Sequence, residues 1–173
     1  IFDTLGPRIM GLFPLILMFV VTSITMLRER QSGTLERLMV GPSGKADVVL
    51  GYALAFGLIG TLQAVIMTAW SAWPLGLSIP GGMWQLGLFM ILYALVGTAL
   101  GLLASAVART EFQAVQMMPM AILPQLLLAG LFIDRAAMPT ALEWVSDILP
   151  VSYSIDGINH VLAGEPGKIW SQV

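Results

Sequence analysis

The sequence contains no cysteine, which excludes disulfide frameworks, thiolate metal sites and cysteine nucleophiles. Charge is almost as scarce. Charged residues fill 10% of the 173 positions, eight basic and ten acidic, for a net charge of −2, whereas soluble domains carry about 25%. Little of the surface is therefore suited to water, and no basic stripe offers nucleic acid an electrostatic footprint. The one histidine, His160, has no carboxylate or thiol companions and reads as structural rather than as a ligand. The opening Ile1-Phe2-Asp3 lacks an initiator Met and a basic segment ahead of an apolar core. It is not a signal peptide and reads as the start of a piece cut from a longer protein.

What is present is apolar. Hydrophobic residues make up 57% of the chain and the mean hydropathy is +0.87. No charge falls in 9–27, in 48–108 or in 112–133. A membrane-crossing helix needs about 20 mainly apolar residues, so the outer two stretches each fit one helix. The middle stretch fits two, broken at Ser78-Ile79-Pro80-Gly81-Gly82, where Pro and Gly end one helix and allow a turn. The expected fold is all-α, a polytopic helical membrane protein with spans at about 9–27, 49–73, 84–108 and 112–133.

Basic residues orient it. Arg28, Arg30, Arg37 and Lys45 follow the first span and Arg109 follows the third, whereas the Ser78–Met83 turn has no charge. Basic loops stay cytoplasmic, so residues 28–47 and 109–111 lie inside and both ends of the sequence outside, in a multi-pass cell (inner) membrane protein. Trp70, Trp73, Trp84, Trp144 and Trp170 all fall on the outer side, where interfacial belts favour Trp. The segment after the fourth span is too often interrupted by Asp147, Pro150 and Asp156 to cross lipid. It reads as two short outer helices over about 139–164, started by Pro139 and Pro150.

The first inner connection holds a short amphipathic helix, about 34–41. Thr34 is placed to cap it through its hydroxyl and Glu36 to favour its first turn. Leu35, Leu38 and Met39 form one face, Glu36 and Arg37 the other, and Gly41-Pro42 ends it. Two turns are not stable alone. The helix either lies on the bilayer or docks a cytoplasmic partner.

The run from Arg28-Glu29-Arg30 to Gly33-Thr34-Leu35-Glu36, with Leu38 and Pro42, resembles the cytoplasmic connection of type-2 ABC exporter permeases. Further matches follow in order: Gly51-Tyr52; Ala108 to Gln116 with Pro119 and Pro124; Gly130-Leu131-Phe132; Met138-Pro139; and Leu149 to Tyr153 with Asp156-Gly157. The likeness covers nearly the whole chain. It departs at Asp134, where a proline is common, and at Asn159 and His160, where an arginine is usual. The resemblance implies spans two to five of a six-span permease, with a coupling helix at 34–41 and outer helices that are re-entrant. It implies a homodimer or heterodimer of permeases in the lipid bilayer, paired with ABC ATP-binding subunits. Docking on those subunits falls to Glu29, Leu35, Glu36, Arg37, Leu38 and Met39. No cofactor is expected in this chain, because ATP and Mg belong to the partner, and the chain itself is not expected to be an enzyme.

Gly41-Pro42-Ser43-Gly44-Lys45-Ala46 superficially resembles a phosphate-binding loop, but Met39 holds the place of its first Gly and Ala46 that of its Ser/Thr. Gly97, Gly101 and Ser105 form a small-residue stripe suited to close helix packing, within one subunit or at a dimer seam. Gln63, Gln113 and Gln116 either bond neighbouring helices or line a substrate path. The methionines offer either an adaptable path or a dispersed core. No charged residue falls within a span, which argues against an intramembrane enzyme. The resulting expectation is an ATP-driven exporter permease for a drug, lipid or other amphiphile. The alternative is a membrane scaffold or channel-like subunit without ATP coupling.

Overall fold

A computed structural model describes residues 2–41, 44–73 and 82–128, with the isolated positions 142, 146, 149 and 152; side chains are described from Met10 onward, save Met39. The elements are α1 (Phe2–Gln31), α2 (Thr34–Val40), α3 (Lys45–Ala72), α4 (Met83–Val107) and α5 (Glu111–Leu128). In lipid every backbone N–H and C=O must be satisfied within its own segment, and long apolar helices meet that demand. Met10–Gln31, Lys45–Ala72 and Met83–Val107 are long and apolar enough to cross a membrane. At 1.5 Å per residue, the 25 residues of α4 reach about 37 Å, against a hydrocarbon core of about 30 Å.

The chain is thus a polytopic helical membrane protein, all-helical among the described elements. α5 is more polar, with Gln113, Gln116 and Gln125 among its 18 residues and Pro119 and Pro124 inside it. The expected fourth span runs on to 133, and 129–133 lie outside the described residues. So do most of the expected outer helices and the turn residues 78–81.

Direction follows from the contacts. Leu15 meets Gly97, Phe19 meets Gly101, and Arg30 reaches Ala106. Both numbers rise together, so α1 and α4 run parallel, as alternate passes of one chain must. Their backbones touch. A Cβ on Gly97 would collide with the Leu15 carbonyl oxygen, and one on Gly101 would lie 2.7 Å from that of Phe19. Ser105, one turn further along the stripe, is buried, and its hydroxyl donates to the Leu102 carbonyl at 2.6 Å.

Around this contact Leu12, Leu15, Leu86, Met90, Tyr93 and Ile122 form the main core. α3 leans on α4, with Gly60 against Ala94 and Met18, and the Thr68 hydroxyl donates to the Ala64 carbonyl at 2.8 Å. Such hydroxyl bonds to the preceding turn let polar side chains sit inside the bundle without an orphaned donor. The far side of α3 is apolar and open, with Leu54, Leu58 and Leu62 at 68%, 73% and 62% exposure, as a bilayer solvent permits.

Gly97→Val should force the α1–α4 backbones apart. Overpacking of a tight contact costs about 1–3 kcal/mol, so the unfolding midpoint in detergent should drop clearly. Gly51→Ala, where a Cβ meets nothing within 4 Å, should leave the midpoint unchanged or slightly raised.

Candidate functional site at the basic end of the bundle

Both basic connections lie at one end of the bundle, with α2 beside them, and Trp70, Trp73 and Trp84 lie exposed at the other. α2 follows α1 after only Ser32 and Gly33, and the joint is tied. The Ser32 amide donates to the Arg28 carbonyl at 2.9 Å and the Arg37 amide to that of Gly33 at 3.1 Å. Ser32 Oγ also donates to the Glu29 carbonyl at 3.1 Å. Gly33 turns the chain with φ 74°, a left-handed value that side chains with a Cβ rarely adopt.

This corrects the expected start of α2. Thr34 is its first helical residue and Gly33 the cap, with no side-chain capping bond; the Thr34 hydroxyl pairs with Ser32 Oγ at 2.8 Å instead. A two-residue joint leaves the capping position to Gly33, so Thr34 cannot fill it.

On α2, Glu36 and Arg37 are exposed and Leu35 is half-buried. Leu38 and Val40 stay 44% and 87% exposed despite being apolar. The Met39 side chain lies outside the described residues. Glu29 sits on α1 and is half-buried, its carboxylate facing the Tyr52 hydroxyl of α3. Leu38, Asp47, Val48, Gly51, Tyr52 and Ala55 line a groove of about 340 Å³ between α2 and α3. Gly44 N–H donates to Asp47 Oδ2 at 2.9 Å, which fixes the start of α3 beneath it.

Sequence reasoning missed a set of bonds behind α2. Arg28 grips the Glu111 carboxylate with both ends of its guanidinium, Nε to Oε1 at 2.6 Å and Nη2 to Oε2 at 2.9 Å. Arg30 donates to the Ala106 carbonyl at 2.8 Å and to that of Ala108, and Gln31 Nε2 to that of Arg109 at 2.7 Å. The end of α1 thereby clasps the α4–α5 turn. Orphan carbonyls at a helix C-terminus attract such cations. The readable signal was opposite charge, Arg28 and Glu111, at the ends of α1 and α5 that the basic connections mark; the counting of basic residues for topology passed over it.

Gln113 sits at the start of α5, its Oε1 accepting from the Arg109 amide at 2.9 Å while its own amide donates to Thr110 Oγ1 at 3.1 Å. It is a helix-start residue in the pattern Thr-x-x-Gln. Gln116 is exposed one turn on, and Gln63 is half-buried on α3; no hydrogen bond brings the three together among the described residues. Gln125, further along α5, is buried. It donates to the Ala121 carbonyl at 3.0 Å, in the turn that Pro124 loosens.

Comparison with known proteins gives the family. Residues 4–162 match the ABC-2 type transporter family. The chain is 29% identical over 150 residues to the probable multidrug ABC transporter permease YbhR of Escherichia coli (strain K12), covering 87% of this chain and 41% of that protein. It is 31% identical over 132 residues to ABC transporter G family member 23 of Dictyostelium discoideum, covering 76% of this chain and 19% of that protein. The linearmycin resistance permease protein LnrN of Bacillus subtilis (strain 168) is 23% identical over 139 residues, covering 80% and 36%. The chain therefore spans about two fifths or less of the length of these relatives. No solved structure matches it.

The Arg28 hydrogen bonds hold the Glu111 carboxyl below its ordinary value of 4.5, against a smaller opposing effect of desolvation. A lowered folded value means the ion pair stabilises fully above pH 4.5 and is lost as pH falls through the lower, folded value. Labels on the ends of α1 and α5 should therefore report a fixed distance at neutral pH and a broadened one under strong acid. Glu111→Gln should show the broadened distance at every pH.

Proposed function

This chain belongs to the ABC-2 type transporter family, and on that footing we propose that it is the core of a permease subunit in an ATP-driven exporter of amphiphilic molecules. The exposed face of α2 carries the reading. A helix of 7 residues cannot persist by itself, yet it is held rigidly while presenting Leu38, Val40, Glu36 and Arg37 outward. An apolar centre with charges around it suits a protein partner. In a permease of this family the partner is the ABC ATP-binding subunit, which brings ATP and Mg. The permease pairs with a second permease, identical or related.

The basic end of the bundle is cytoplasmic, in keeping with the positive-inside rule, and the membrane is the cell (inner) membrane. Leu35, Glu36, Arg37, Leu38 and Met39 form the docking surface, with Glu29 supporting it from α1. Relatives named for multidrug transport and for linearmycin resistance support a drug- or lipid-like amphiphile as substrate. So does the apolar surface that α3 and α4 present among the described residues.

Affinity-tagged full-length permease should bring down the ATP-binding subunit. The double substitution Glu36→Arg with Leu38→Asp should weaken that capture about tenfold or more, the scale of losing an interface anchor. Undiminished capture would show that α2 is not the docking element.

A further inference from the structure

Three observations link the basic end of the bundle to its spans. The joint between α1 and α2 is only two residues long and internally hydrogen-bonded, so a push on α2 displaces the end of α1 rather than flexing a linker. α1 and α4 touch backbone to backbone at Gly97 and Gly101, which leaves no soft layer between them to absorb that displacement. Finally, α1 reaches across to the α4–α5 turn with Arg28, Arg30 and Gln31, which end on Glu111, Ala106, Ala108 and Arg109.

We infer that Arg28, Arg30, Gln31 and Glu111 are positioning residues for coupling: they carry motion of α2 into the α4–α5 turn, so that α1, α4 and α5 shift as one body. The inference rests on the reading of α2 as the docking helix for an ATP-binding subunit, and it adds where the force goes next.

The chemistry suits the role. Stability is not the purpose, because an exposed ion pair contributes little of it; Arg28 and Glu111 are 65% and 44% exposed at their side chains. Geometry is what a bidentate guanidinium–carboxylate pair supplies, since two parallel bonds fix orientation as well as distance. Arg30 adds two bonds to the carbonyl end of α4, and Gln31 one beyond it. Four neighbouring positions on α1 are thus divided in use. Arg28, Arg30 and Gln31 face the turn, while Glu29 faces Tyr52 of α3. α3 makes no comparable set of bonds to the turn among the described residues, which leaves it as the element the moving body slides against.

The test uses the full-length permease with its ATP-binding subunit in liposomes. Glu111→Arg should retain the subunit on the tagged permease but lose about tenfold or more of the permease-dependent stimulation of ATP hydrolysis, the usual range of a coupling energy. Arg28→Glu combined with Glu111→Arg, which rebuilds the pair in reverse, should recover most of it. Undiminished stimulation in Glu111→Arg overturns the inference, as does a reversed pair no better than the single variant.

A second measurement leaves the clasp itself intact. These 173 residues hold no cysteine, and with any cysteine elsewhere in the full-length permease replaced by Ser, spin labels at Thr34→Cys, outside the docking residues, and Thr110→Cys report the distance from α2 to the turn. It should be the same in the nucleotide-free and vanadate-trapped states, while a label pair from Thr34→Cys to Lys45→Cys on α3 changes. A shift in the first pair overturns the inference and leaves the docking function standing. A native permease that captures no ATP-binding subunit overturns the function itself, and the inference with it.

Discussion

Two helix backbones in contact are the constraint on which the rest of this structure depends. Lipid supplies no hydrophobic force between helices, so association in a bilayer comes from close packing and interhelical hydrogen bonds. At Gly97 and Gly101 the missing side chains let α4 settle onto the carbonyl oxygens of Leu15 and Phe19. Everything else is arranged around that pair. α3 covers one side through Gly60, and α5 crosses the end of α1 where Leu27, Ala108 and Ala114 meet. Because α1 is in the pair, the short helix α2 inherits a rigid footing, and because α4 is in it, so does the turn that leads to α5.

This arrangement separates two surfaces with different solvents. Along α1, α3 and α4 the large outward residues described are apolar, as Phe13, Leu17, Leu58 and Leu103 are, which hydrocarbon accepts. At the basic end the outward residues alternate between apolar and charged, which neither lipid nor water suits fully. Such a mixed surface suits an interface with another protein, which the proposed function assigns to an ATP-binding subunit. On that proposal, displacement at α2 becomes rearrangement of helices that are already in contact.

Much of this was legible in the residues. Charge-free runs marked three long helices, although α1 runs Phe2–Gln31 where 9–27 was expected, and Gly82 does precede the start of α4. The expected cap at Thr34 was one residue off and wrong in its chemistry. A Thr ahead of an apolar run reads as a capping residue, whereas the two-residue joint leaves that position to Gly33 and its positive φ. The stripe of Gly97 and Gly101 was readable as a contact surface, but periodicity cannot say which helix it meets. The clasp was the least accessible part. Arg28 and Glu111 lie 83 positions apart, and no local pattern links them; only the folded bundle sets their ends side by side. The outer helices expected over about 139–164 fall almost wholly outside the described residues. There Ser146 Oγ, donating to the Leu128 carbonyl at 2.8 Å, ties the chain back to the end of α5.

The central claim is that α2 is seated on an ATP-binding subunit in the cytoplasm. A photo-crosslinking side chain placed at Val40, whose own side chain is 87% exposed, tests it most directly in intact cells expressing the full-length permease. The account predicts a single dominant adduct with the ATP-binding subunit. Adducts with lipid alone, or modification of that position by a reagent that cannot enter the cell, would contradict it.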